Sequence, residues 1–160
     1  MKTIKFRKAL ITDIKILREF QYELGVHERI LDDNLKKDSD IKYYSDYKLK
    51  KYIKSDQSLC LIAEQKNEAI GLAVALIKKQ KGNWWKSSYK GYIDFLFVKE
   101  ENRGQGIGKK LIKESITWFK RKKVSDIRLI VFHNNTEALE LYRNMGFQDY
   151  IFEMSYKKSP

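Results

Sequence analysis

Tyr92-Ile93-Asp94-Phe95-Leu96-Phe97-Val98 is an apolar run broken by one acid, and four residues later the chain reads Arg103-Gly104-Gln105-Gly106-Ile107-Gly108. A helical pattern opens near Ile107, so strand, glycine loop and helix follow one another directly. This succession constrains the fold more than any other stretch. Three glycines in five residues let the backbone turn without Cβ clashes and point consecutive N–H groups outward. The helix behind them brings its positive dipole end to the same place. Such a junction binds phosphate.

The remaining elements follow from periodicity. Alternation of Ile4 and Phe6 with Lys5 and Arg7 predicts a first strand. Ile14, Leu17, Phe20 and Leu24 share one helical face, with Thr12 or Asp13 as the cap and Gly25 as the end. Residues 26–58 are polar, carrying Glu28, Asp32, Asp33, Asp38 and Asp40, before Tyr44, Tyr47, Leu49, Tyr52 and Ile53 suggest a second helix. A substrate-facing segment is expected there. Residues 59–64 and 69–78 read as a hairpin, and Gly71 marks a bulge or a close backbone approach. Residues 81–90 form a loop, whose Trp84 and Trp85 either line a substrate mouth or fold back over the sheet edge. After the glycine loop, Ile107, Leu111, Ile112, Ser115, Ile116 and Phe119 form the inner face of a helix. A strand over 126–132, a helix capped by Asn134-Asn135-Thr136 and ended by Gly146, and a strand over 150–156 complete the chain.

The expected fold is α/β. It is a single domain over 1–160 with a mixed, mostly antiparallel sheet flanked by helices and containing a parallel strand pair. A chain of 160 residues suits one domain. One cysteine, Cys60, rules out an internal disulfide and fits a reducing compartment; within Leu59-Cys60-Leu61-Ile62 it reads as a small core residue. No apolar stretch approaches membrane-spanning length, and the first residues lack the apolar centre of a signal peptide, so a soluble, cytoplasmic protein with no membrane partner is expected. The net charge of +12 favours polyanions. Its lysines are nevertheless spread along the chain without an arginine-rich tail, which points to a solvated surface in preference to a nucleic-acid interface. His27, Cys60 and the scattered carboxylates make no metal-ligand set, so no metal is expected.

Which phosphate ligand the loop takes is narrowed by context. A nucleotide P-loop needs longer spacing and a Ser/Thr after its lysine to hold magnesium, and Lys109 has none. A dinucleotide site needs an acidic residue ending the next strand, whereas Asp126 opens it.

The sequence resembles the GNAT superfamily of acetyl-CoA-dependent N-acetyltransferases. The family's Gln/Arg-x-x-Gly-x-Gly/Ala signature appears as Arg103-Gly104-Gln105-Gly106-Ile107-Gly108 after the strand ending at Val98. Its second motif, Asn-x-x-Ala-x-x-x-Tyr and then Gly-Phe, appears as Asn135, Ala138, Tyr142, Gly146 and Phe147 in the right order. Glu100 stands where many members carry proline. The resemblance implies that Arg103, Gly104, Gln105, Gly106, Ile107, Gly108 and Lys109 hold the CoA pyrophosphate. The sheet would be splayed at a central parallel strand pair after Val98, where Leu96, Phe97 and Val98 would bond the pantetheine arm, with an N–H near Phe97 or Val98 facing the oxyanion, and Asn135 would contact CoA. Tyr142 becomes the acid for the leaving thiolate. Asp94 becomes the group that binds or deprotonates the amine, against the plainer reading of a carboxylate paired with a neighbouring base. His133 is either a base or structural. A primary amine, small or on a protein, is the implied acceptor, and a homodimer is expected on resemblance alone. The competing readings are a basic nucleic-acid-associated module and a CoA-binding regulatory domain without turnover.

Overall fold

The computed structural model describes residues 3–32, 35, 44–80 and 88–156. The chain forms two compact units, Met1–Ile130 and Val131–Pro160. The first holds strands β1 (Lys5–Lys8), β2 (Ser58–Gln65), β3 (Glu68–Lys79), β4 (Tyr89–Val98) and β5 (Ile127–Arg128), with helices α1 (Ile14–Leu31), α2 (Asp46–Lys54) and α3 (Ile107–Arg121). The second holds helix α4 (Thr136–Asn144). Strand order follows the chain, β1 to β5, with every pair antiparallel except β4–β5. The mixed sheet and its parallel pair are as expected, and that pair stands at the end of the described sheet.

The hairpin between β2 and β3 turns on Lys66 and Asn67, whose φ values of 53° and 63° are those of a two-residue turn matching strand twist. Its partners are regular except near Gly71, where Ala63 faces Gly71 and Glu64 faces Ala69, leaving Ile70 as an extra residue. A Cβ on Gly71 would stand 3.2 Å from the Phe97 carbonyl oxygen and 3.4 Å from Ile107 and Leu111 atoms. Both readings of Gly71 therefore hold: a bulge adjoins it, and α3 lies close upon it. Gly91 seats the other end of α3, since a Cβ there would come within 2.7 Å of the Phe119 ring.

One face of the sheet packs on α1 and α2 through Leu17, Phe20, Leu49, Cys60, Ile62, Leu72, Val74, Leu76, Phe95 and Phe97. Burial pushes the Cys60 thiol up to about 12, as for an unreactive core residue. The opposite face receives α3, whose Ile107, Leu111, Ile112, Ser115, Trp118 and Phe119 are buried. Trp118 joins the expected inner face, whereas Ile116 is only half-buried.

Several boundaries differ from expectation. Helix α1 passes through Gly25 to Leu31, because one glycine in a long helix costs only about 1 kcal/mol. Asp13 precedes α1 without capping it by a side-chain bond. Its carboxylate instead takes two bonds from the Arg7 guanidinium, at 2.6 and 2.9 Å, and one from the Leu10 N–H at 2.6 Å. Helix α2 is capped by Ser45, which accepts from the Lys48 N–H. The strand expected over 126–132 is paired only at Ile127–Arg128. Residues 150–156 carry no ladder, since a strand needs a partner and the described residues of their own unit include no other strand. Trp84, Trp85, Asp33, Asp38 and Asp40 lie outside the described residues.

Candidate active site

Strand β4 is interrupted. Phe95 faces Val74 and Ile93 faces Ala75, so Asp94 is an extra residue with no partner on β3. Cross-strand partners share a face, so this bulge divides β4 by orientation. Gly91 and Ile93 lie with Ile77 and Ala75 toward α3, while Phe95 and Phe97 join the α1/α2 core. A bulge also increases local twist, and β5 parts from β4 beyond Tyr92, two residues before Asp94.

The parting leaves one edge of β4 open. At its near end, the Gly91 N–H donates to the Asp126 carbonyl on the β5 side. At its far end, the Lys99 N–H donates to Ile70 on the β3 side. Alternation back from Lys99 turns the backbone groups of Phe97 toward β3 and those of Leu96 and Val98 toward the open edge. Of the three strand residues expected to bond the pantetheine arm, Leu96 and Val98 turn their backbone groups to this edge, whereas those of Phe97 face β3 and its ring lies in the core, 5.3 Å from Phe20. The Val98 carbonyl accepts from Arg103 Nε at 3.2 Å, so Arg103 ties the loop to the strand.

The loop follows at once. Glu100 opens the short turn Glu100–Asn102, a first-turn position that suits proline, which explains the tolerated departure from the family pattern. Gly104 and Gly106 have φ of 73° and 77°, and nothing stands within 4 Å of where their Cβ atoms would be. Gly106 is the N-cap of α3. Among the described residues, none of the amides from 104 to 109 has a backbone acceptor, whereas Lys110 already bonds Gly106. Free amides, left-handed glycines and a 15-residue helix together form a concave anion cradle. This donor set fits a pyrophosphate.

At the bulge, Asp94 Oδ1 lies 2.7 Å from Lys78 Nζ, and Asp94 Oδ2 accepts from the Tyr44 hydroxyl at 2.9 Å. The Asp94 side chain keeps only 13% of its exposure. Tyr44 packs edge to face on Tyr52 at 5.6 Å, and Lys48 Nζ stands 3.5 Å over the Tyr44 ring. Burial, then the nearby Asp94 charge, pushes both phenols above their ordinary range. Lys78 Nζ also lies 4.8 Å over Tyr92. Neither Lys78 nor Lys48 was marked by sequence pattern. Lys78 meets the acid at the bulge, and Lys48 stands over the Tyr44 ring whose hydroxyl the acid accepts.

The second unit holds the other motif. Asn135 caps α4, its Oδ1 accepting from the Ala138 N–H at 3.2 Å, so its capping role is realised. Tyr142 is half-buried, with its ring 6.0 Å from Phe147. Gly146, at φ 90°, lets Phe147 N–H return to the Tyr142 carbonyl. His133 is exposed.

A strand that opens beside a free-amide glycine loop defines a protein built to hold a ligand that is peptide-like at one end and phosphorylated at the other. The Acetyltransferase (GNAT) family model matches residues 25–147, and the chain belongs to this family. Among similar proteins, the thialysine N-epsilon-acetyltransferase of Bos taurus is 42% identical over 66 residues, 39% of each chain. The matches span 34 to 39% of the length of the first curated relatives. A structure of a mutant BH1408 protein from Bacillus halodurans superposes with a TM-score of 0.84 at 18% identity, covering 97% of this chain and 99% of that one. Aminoglycoside N-acetyltransferase AAC(6')-Iy in complex with CoA gives 0.72 at 20% identity, covering 99% and 96%. Both likenesses establish the fold.

Proposed function

We propose that the chain is an N-acetyltransferase that moves the acetyl group of acetyl-CoA directly to a primary amine, on a small molecule or a protein. The observation that carries this reading is the continuity of the open β4 edge with the free amides of 104–109. Acetyl-CoA supplies an activated thioester. The amides of Gly104 to Lys109 bind its pyrophosphate, and Leu96 and Val98 extend strand pairing to its amide-containing arm. Their outward N–H groups suit a developing oxyanion. On this reading 1–160 is one catalytic domain acting in the cytoplasm; in support of a single domain, the span matched by the family model, residues 25–147, crosses both compact units.

Asp94 binds the acceptor ammonium and takes its proton, directly or through water. The neutral amine then forms a C–N bond at the thioester carbonyl as the C–S bond breaks, the Tyr142 phenol gives its proton to the departing sulfur, and the second proton lost by the nitrogen passes through water to restore the phenol. Asn135 acts from the start of α4. Release of free CoA thiol with an amine panel tests the scheme. Tyr142→Phe should lower kcat about 100-fold with little change in acetyl-CoA affinity. Undiminished turnover removes Tyr142 from the acid role, and salt-sensitive retention on DNA or RNA without CoA affinity overturns the whole reading.

A further inference from the structure

Resting on that reading, we infer that the acceptor is a zwitterionic amine, carrying a carboxylate or similar anion near its reacting ammonium: Asp94 takes the ammonium and Lys78 the anion. The argument begins with the place Asp94 makes. A mostly buried carboxylate that accepts from the Tyr44 hydroxyl and holds an ammonium over the Tyr92 face is a receptor for an alkylammonium, combining ion pairing with cation–π attraction. The protein fills this receptor itself. Lys78 Nζ pairs with Asp94 Oδ1 and rests over Tyr92, while Lys48 Nζ rests over Tyr44 and, at 5.7 Å, beside Tyr52.

An incoming amine must therefore displace a lysine from Asp94. Lys78 can yield, because its side chain is 47% exposed and it stands near the end of β3. It then needs a new counter-ion. Among the described groups gathered here there are two ammoniums to one carboxylate, so the displaced charge calls for an anion beyond Asp94. An acceptor with its own carboxylate completes the exchange: its ammonium replaces Lys78 at Asp94, and its anion receives Lys78. A diamine or polyamine brings more positive charge against Lys78 and Lys48 and is disfavoured. The overall charge of +12 acts in the same direction on approach.

Matched amines that differ only in a carboxylate isolate the effect. With saturating acetyl-CoA, lysine against cadaverine and ornithine against putrescine should show kcat/KM favouring the amino acid by about tenfold or more, chiefly through KM. Lys78→Met keeps length and removes charge; it should erase the preference and raise cadaverine turnover, while Lys78→Arg should retain the preference. A wild-type preference for the diamines, or a preference unchanged in Lys78→Met, overturns the inference while leaving acetyl transfer intact. If no amine is acetylated, the acetyl-transfer reading falls. Equilibrium binding of the same pairs to the CoA-loaded protein then still decides: tighter binding of lysine that is lost in Lys78→Met supports the exchange, and equal binding overturns it.

Discussion

The two ends of the open β4 edge are built from different materials. At the Val98 end, the site consists of main-chain groups: the outward amides of Leu96 and Val98, then the free N–H groups of a loop turned by two left-handed glycines. At the Asp94 end it consists of side chains from four separate places, Tyr44, Tyr52, Lys78 and Asp94. Backbone recognition depends on shape and tolerates change in most side chains. Side-chain recognition can be altered by single substitutions without disturbing the sheet. On the proposed reading, one strand thus carries a donor end made of main chain and an acceptor end made of side chains.

The sharpest way to break the division is Gly106→Val. A β-branched residue at φ 77° costs about 1–2 kcal/mol or more and displaces the first amides of α3. CoA affinity, measured calorimetrically, should fall about 10- to 100-fold. Asp94→Asn should do the reverse, leaving CoA binding unchanged while the amine KM rises about tenfold. If both constants move together, the two ends are not independent. Gly71→Ala probes the seat they share: the added methyl presses on the Phe97 carbonyl, Ile107 and Leu111, and should cost about 1 kcal/mol in urea unfolding with a several-fold loss of CoA affinity.

A smaller effect, remote from both ends, serves as a control. Hydrogen bonds from Arg7, assisted by the Leu10 N–H, hold Asp13 below the usual carboxylate range despite its burial. A carboxylate with a depressed folded pKa stabilises fully above its unfolded value of about 3.9, and that stability is lost as pH falls through the folded value. Stability should therefore drop below about pH 4. Arg7→Met should reduce the drop without changing kcat at neutral pH.

The donor end was legible in sequence because glycines and helix starts write their geometry locally. Left-handed φ at Gly104 and Gly106 and the cap at Asn135 depend on neighbours a few residues away. The acceptor end was half legible. Asp94 stood out as an acid in an apolar run, but its partners lie 16 and 50 residues distant, and no periodicity brings them together. The bulge was hidden for a specific reason. Gly91, Ile93, Phe95 and Phe97 are all buried, so burial alternates without a break although the faces change between Ile93 and Phe95. Both sides of the sheet are covered, and a buried residue reads the same on either side. Gly25 misled for the opposite reason, since a residue that often ends helices is also tolerated inside one. The strand expected over 150–156 shows that alternation measures capacity and leaves the partner unspecified.

Asp94 is, for the sheet, a surplus residue. A chain shorter by that one position would still set Phe95 against Val74 and Ile93 against Ala75, and both layers of helices would meet the same side chains. The register of the ladder is indifferent to what occupies the position, so the side chain there is free to serve chemistry. Replacing it is a change of vocabulary that leaves the grammar of the fold untouched.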